Sequence, residues 1–241
     1  MTDIVAELSA RLGHVGINLV GATHVAAYDS RVVPARRVAP RAPGARSAIV
    51  LGNGGGALWE AARAHLVGAW TDDPLDRFTR DVVTAAVEDI AGASVIFPFV
   101  ASPTGLDFQV LAELAGLGRP SLVGVLVHPE YGPWIALRAA VLVPHDVTAP
   151  RPADGFDPCP SCVERPCIVA CPVGAVGPEG WNVRGCMTHR LADDAHCATG
   201  CGARLECVYG RPQRYPAEAL AYHQAAARRT MVAYARDARK D

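Results

Sequence analysis

The pattern of apolar and polar positions changes character near residue 158 of the 241-residue chain. Before that point helical and extended periods alternate. "DIVAELSARL" (3–12) repeats its apolar positions at helical spacing, and "SAIVLGN" (47–53) is a β-rich run entering a glycine cluster. Helical stretches follow at about 57–68 and 74–91, the second with Phe78, Val82, Ala85, Val87 and Ile90 as apolar positions. "ASVIFPFV" (93–100) reads as a buried strand and 107–116 as a helix. "SLVGVLV" (121–127) and "IALRAAVLV" (135–143) read as two more strands, split by "HPEYGPW". This alternation predicts an α/β or α+β layer fold around a central sheet, with the strand order left open. After residue 159 periodicity is scarce until "PAEALAYHQAAARRTMVAYARDARK", a terminal helix opened by Pro216.

The Pro- and Asp-rich stretch "PHDVTAPRPADGFDP" (144–158) separates the two regimes. The expected organisation is a front α/β domain (1–145), a linker (146–158), a cysteine-bearing domain (159–210) and a C-terminal helix (211–241). Half of the residues are apolar, enough for a sizeable core. The net charge of −1 lacks the positive excess of a nucleic-acid footprint, so no nucleic-acid partner is expected. The basic residues are almost all arginine, Lys240 being the only lysine, which reads as genome composition. No apolar run approaches the ~18 residues of a membrane span. The N-terminus reads as an acidic amphipathic helix rather than a signal peptide. A cytoplasmic protein without membrane association is therefore expected, and in that compartment clustered cysteines serve metals or catalysis.

All eight cysteines fall between 159 and 207. Cys159, Cys162, Cys167 and Cys171 read C-x2-C-x4-C-x3-C-P; Cys186 stands alone; Cys197, Cys201 and Cys207 read C-x3-C-x5-C. Zinc favours paired C-x2-C units, which the second group lacks. A disulfide framework disagrees with the compartment and with the size of the core. Iron–sulfur chemistry fits best; one cluster with a zinc or free thiols, or zinc alone, are the alternatives.

The first run resembles the bacterial ferredoxin motif C-x2-C-x2-C-x3-C-P, with "VERP" in place of two residues between the second and third ligands. In that motif the fourth cysteine ligates the other cluster. The resemblance implies Cys159, Cys162 and Cys167 with Cys207 on one 4Fe–4S cluster, and Cys171 with Cys186, Cys197 and Cys201 on a second. Gly174, Gly177, Gly200 and Gly202 suit a backbone bending round an inorganic core, or are ordinary loop glycines.

The whole arrangement over 157–210 also resembles the iron–sulfur part of epoxyqueuosine reductases and reductive dehalogenases. In those families the clusters feed a cobalamin held by a nitroreductase-like α/β domain. Upstream, "VHPEYGPWIALRAAVLVP" (127–144) and "TDDPLDRF" (71–78) resemble segments of the cobalamin-processing decyanase/dealkylase (CblC-type) family. Together these resemblances imply a nitroreductase-like, corrinoid-binding front domain wired to a small, irregular, ferredoxin-like iron–sulfur domain. The expected corrinoid-facing residues are His128, Tyr131, Gly132, Trp134 and Arg138. An ordinary core role for Tyr131 and Trp134, a strand-end role for His128 and an acidic partner for Arg138 compete with that reading. "DAHCATG" (194–200) departs from the Asp-x-His-x-x-Gly signature of proteins that ligate cobalt by histidine, so a base-off corrinoid is expected. Electrons would come from an external donor: a flavodoxin, a ferredoxin or a reductase.

Two further patterns are weaker. "LGNGGGA" (51–57) matches the dinucleotide pattern G-x-G-x-x-A, but the next strand lies some forty residues on and Asp72–Asp73 sits on a loop. Glu130 and Asp107 are carboxylates near the expected pocket, and nothing around them in the sequence marks either as a proton donor.

Overall fold

A computed structural model describes residues 3–66, 73–100, 105–147, 149, 155–192 and 195–237. The chain divides into two compact units, Met1–Arg119 with Ile135–Phe156, and Pro120–Trp134 with Asp157–Asp241. Segment 120–134, assigned to the front domain by its position in the sequence, therefore belongs with the cysteine-bearing part.

The first unit is a mixed α/β layer, as its alternating periods predict. Helix α1 (Ile4–Gly13) starts where the Asp3 carboxylate accepts the N–H groups of Val5 and Ala6, and it buries Val5, Leu8 and Leu12 on one face. Strand β1 (Leu19–His24) and helix α2 (Val25–Asp29) follow. Strand β2 (Ser47–Gly54) is buried along its whole length. Helix α3 (Ala57–Leu66) comes next.

Helix α4 (Pro74–Val87) opens with proline at its first turn, where the missing N–H costs nothing. Its buried positions are Leu75, Phe78, Thr79, Val83, Ala86 and Val87. That face is rotated from the predicted one: Val82 is half-buried and Ala85 exposed. Strand β3 (Ser94–Ile96), helix α5 (Phe108–Leu114) and strand β4 (Ile135–Val143) complete the unit.

The four strands form one antiparallel sheet in the order β1-β2-β4-β3. Because β2 is antiparallel to both neighbours, "LGNGGGA" lacks the parallel βαβ setting that a dinucleotide site requires. The register between β2 and β4 slips at Leu51/Gly52: Leu51 faces Ala139 and Gly52 faces Leu137. Arg138 is the extra residue of this bulge, a device that re-aims a side chain.

The second unit is less regular. The predicted strand "SLVGVLV" does not form. Its residues make turns, and Leu122 and Val123 pack on a small core of Cys167, Val176 and Ala203. Short helices α6 (Pro158–Ser161) and α7 (Pro166–Val169) precede a two-stranded hairpin, β5 (Val176–Gly177) with β6 (Gly180–Trp181). Then come α8 (Val183–Ala192), α9 (Gly202–Leu205) and the long α10 (Ala217–Asp237), the terminal helix expected from the sequence. Helix α8, absent from the sequence reading, packs against α10.

Candidate metal centres and ligand pocket

Short proline-opened helices carry the first cysteines. Pro158 starts α6, which holds Cys159 and ends on Cys162. The "VERP" insertion follows, with Arg165 in the left-handed region (φ 43°), the only such non-glycine residue among the described residues. Pro166 then starts α7, which carries the buried Cys167. Cys207 comes forty residues later, just beyond α9. Cys159, Cys162, Cys167 and Cys207 line one pocket, together with Leu122, Val127 and Arg165. The Leu122 backbone N–H donates to Cys159 Sγ at 3.4 Å.

Burial, then the charges of Cys159, Cys207 and Cys162, push the Cys167 thiol up. Burial also raises Cys207, against a backbone hydrogen bond from Tyr209. Four thiolates round a cavity repel one another, and only a cationic centre makes the deprotonated set favourable.

Of the remaining cysteines, Cys171 and Cys201 are near enough to Cys186 for their charges to act on it. The Ala175 N–H donates to Cys171 Sγ at 3.2 Å. Cys186, on α8, is raised by burial and by the charges of Cys201 and Cys171, while a Trp181 hydrogen bond and the charge of Arg190 lower it. Cys197 is buried in a turn, and Cys201 caps α9. A β-carbon at Gly202 would meet Ala170 O at 2.5 Å, so glycine is what lets α9 close on α7. Among the described residues no group of three or more His, Cys, Asp or Glu is arranged to hold a metal ion. A single ion needs its thiolates about 2.3 Å from one point, a tighter convergence than the walls of a pocket provide.

The "HPEYGPW" stretch has definite partners within the second unit. His128 and Gly132 exchange two backbone hydrogen bonds, both 2.8 Å. His128 Nδ1 accepts the N–H groups of Glu130 (3.1 Å) and Tyr131 (3.3 Å), and burial holds its pKa below the ordinary histidine value. The Tyr131 ring lies 5.2 Å from that of His128. Gly132 has φ 57°, and a β-carbon there would stand 2.2 Å from Tyr209 O.

Trp134 is 1% exposed. The Arg204 guanidinium covers its ring at 4.8 Å and the Tyr215 ring at 5.1 Å, and donates to Pro133 O at 2.6 and 3.0 Å. The stretch thus braces segment 204–210, which carries Cys207.

Arg138 lies in the other unit. It is 6% exposed, with Nε donating to Asn53 Oδ1 at 2.7 Å and Nη1 3.9 Å from Asp76. It has the acidic neighbour that the sequence offered as its competing role. Of "TDDPLDRF", Thr71 and Asp72 lie outside the described residues; Asp73 precedes α4, and 74–78 form its opening. Asp194 of "DAHCATG" is likewise outside them, and His196 is exposed.

A pocket the sequence did not reveal opens in the first unit. Val95, Ile96, Phe97, Leu106 and Phe108 give it apolar walls, and Arg36 and Arg41 supply cations. Buried Tyr28 organises its rim: Tyr28 Oη accepts the Asp107 N–H (2.8 Å) and donates to Arg36 O (3.2 Å). The Asp107 carboxylate accepts from Arg36 at 3.1 Å and caps α5 through Val110 N–H. Asp107 is thus a structural anion, and Glu130 is exposed. The pocket draws on the 3-10 turn at 34–36, β3 and the start of α5, too far apart in sequence to form any local motif.

No protein-family profile matches this chain, and no curated sequence does. Its fold is shared with solved structures. Epoxyqueuosine reductase from Streptococcus thermophilus aligns over 89% of this chain and 68% of that one, at 16% identity and a TM-score of 0.58. The B12-trafficking protein CblC of C. elegans aligns over 92% and 90%, at 14% identity and a TM-score of 0.57. A reductive dehalogenase, in a structure bearing on B12-dependent dehalogenation, aligns over 91% of this chain but 35% of its own, at 19% identity and a TM-score of 0.52. An epoxyqueuosine reductase with this fold has also been solved with an epoxyqueuosine-modified tRNA-Tyr stem loop. The fold is therefore the nitroreductase-like one expected from the sequence, and the neighbours named above are cobalamin-related proteins or epoxyqueuosine- and dehalogenase-type reductases. Among the described residues no helix is long and apolar enough to cross a membrane.

Proposed function

We propose that this chain is an iron–sulfur reductase that passes single electrons through two 4Fe–4S clusters to a base-off corrinoid, in reductive cobalamin processing. One observation carries the reading: Cys159, Cys162, Cys167 and Cys207 line one pocket, in the grouping that the ferredoxin motif implies. The donor set suits a soft polynuclear iron centre. Backbone N–H groups already reach Cys159 and Cys171 sulfur, the kind of hydrogen bond that tunes a cluster. Cys171, Cys186, Cys197 and Cys201 would hold the second cluster. Each cluster, when bound, takes up and gives back one electron.

The chain's own groups do the rest. Thiolates fix the centres, N–H groups stabilise charge on sulfur, and the 128–134 stretch with Arg204 holds the Cys207 segment in place. The corrinoid is the substrate in this reaction. Of the five residues expected to face it, Trp134, Arg138 and His128 already have internal partners, so they support the site rather than line it. The first-unit pocket offers apolar walls for a flat macrocycle, with Arg36, paired with Asp107, and Arg41, held by backbone carbonyls, among its lining residues. An external flavodoxin, ferredoxin or reductase would supply the electrons.

A second reading, reduction of another substrate such as a tRNA nucleoside, draws support from the epoxyqueuosine reductases that share the fold. The net charge of −1 weighs against it.

The test is anaerobic purification followed by titration with cob(II)alamin. A base-off shift of the corrin absorption, and accumulation of Co(I) when a low-potential reductant is added, is the expected result. An unchanged spectrum would contradict corrinoid processing, and binding of a modified tRNA stem loop instead would favour the second reading.

A further inference from the structure

We propose that Arg190 sets the reduction potential of the centre held by Cys186, making it the more easily reduced of the two. The inference rests on the iron–sulfur reading above. Arg190 follows Cys186 by four residues on α8, so the two side chains leave the same helix face. Arg190 is 4% exposed, the deepest-buried arginine among the described residues of the second unit. Its Nη2 donates to Gln224 O of α10 at 2.9 Å, and its own carbonyl accepts from Arg228 Nε at 3.3 Å. The guanidinium is thus held against α10 rather than swinging in solvent.

A guanidinium keeps its charge when buried. A fixed cation in a low-dielectric setting favours the form of a neighbouring centre that carries the extra electron, and so raises its potential. Among the described residues, the arginines near the first set of cysteines are less deeply buried; Arg204, three residues before Cys207, is half-buried. Arg211, whose charge acts on Cys207, is exposed, and Arg165 is only half-buried, so water screens both. Electrons arriving at the Cys159–Cys207 centre would then move downhill to the Cys186 centre, one at a time and with no change in bonding.

Wild type, R190Q, R190K, R228Q and C186S, prepared anaerobically with iron and sulfide, would be compared by redox titration with EPR detection. R190Q is expected to lower the potential of one cluster signal by roughly tenfold in the reduction equilibrium, about 59 mV for a one-electron couple, and to leave the other in place. C186S should remove the signal that R190Q shifts. R190K, which keeps the charge, should stay near wild type, and this comparison carries the test if R190Q does not fold. R228Q removes a contact to the same helix end and only a solvent-exposed charge, leaving Arg190 itself charged, and should leave both potentials unchanged.

The inference is overturned if R190Q moves neither signal, if R190K falls as far as R190Q is expected to fall, or if R228Q reproduces the shift. Two clusters with unmoved potentials would defeat the inference alone. A chain that takes up no iron would defeat it together with the iron–sulfur reading.

Discussion

The imidazole of His128 can accept backbone hydrogen bonds from both Glu130 and Tyr131 only while its Nδ1 is unprotonated. Burial lowers its pKa in the folded chain from the ordinary value of 6.5. The unfolded chain therefore takes up the proton first as pH falls. The stabilisation is complete above the ordinary value and is lost as pH drops from there towards the folded value. An NMR titration should find the His128 midpoint below 6.5, and H128N should be less sensitive to acid than wild type in urea unfolding; a midpoint at or above 6.5 contradicts the assignment. Gly132 offers a second test. With φ 57° and Tyr209 O 2.2 Å from a would-be β-carbon, G132A should lose about 1–3 kcal/mol of stability, measured by urea unfolding, and should also lose iron through the displaced Cys207 segment. Wild-type stability and iron content would show that the brace is unimportant.

At the scale of elements, the bulge in β4 explains why Arg138 serves the fold. The extra residue turns the guanidinium onto Asn53 and Asp76, between the sheet and the start of α4. N53A should cost about 1–3 kcal/mol by leaving a buried donor unpaired, read as a lower unfolding midpoint; an unchanged midpoint would show that the contact carries no weight. Amphipathic helices were legible in the sequence because their spacing is local: α1, α3, α5 and α10 form where the periodicity put them. Strand β1 was not, since "LVGATH" carries small residues and no alternation. "SLVGVLV" misled because a short apolar run reads alike whether it pairs in a sheet or covers a neighbouring core; here Leu122 and Val123 cover the cysteine-bearing core and Leu122 donates to Cys159. The "HPEYGPW" stretch was legible as a structural signal but not in its role, because Arg204, Tyr209 and Tyr215, which engage it, lie some seventy residues downstream. The first-unit pocket was hidden for the same reason.

For the whole molecule, the cysteine spacing carried most of what could be inferred. Its resemblance to the ferredoxin motif implied a grouping of Cys207 with three cysteines forty or more residues earlier, and those four line one pocket. C207S should therefore remove roughly half of the iron and one of two EPR signals; loss of both, or of neither, would break the proposed grouping. What no spacing could supply is the occupant of the first-unit pocket. The most direct test of the central claim is quantification of iron, sulfide and zinc in anaerobically purified protein, with EPR after reduction. The account predicts a brown protein with about eight irons and eight sulfides per chain and two reduced-cluster signals. A colourless protein carrying zinc in tetrahedral thiolate sites would contradict it.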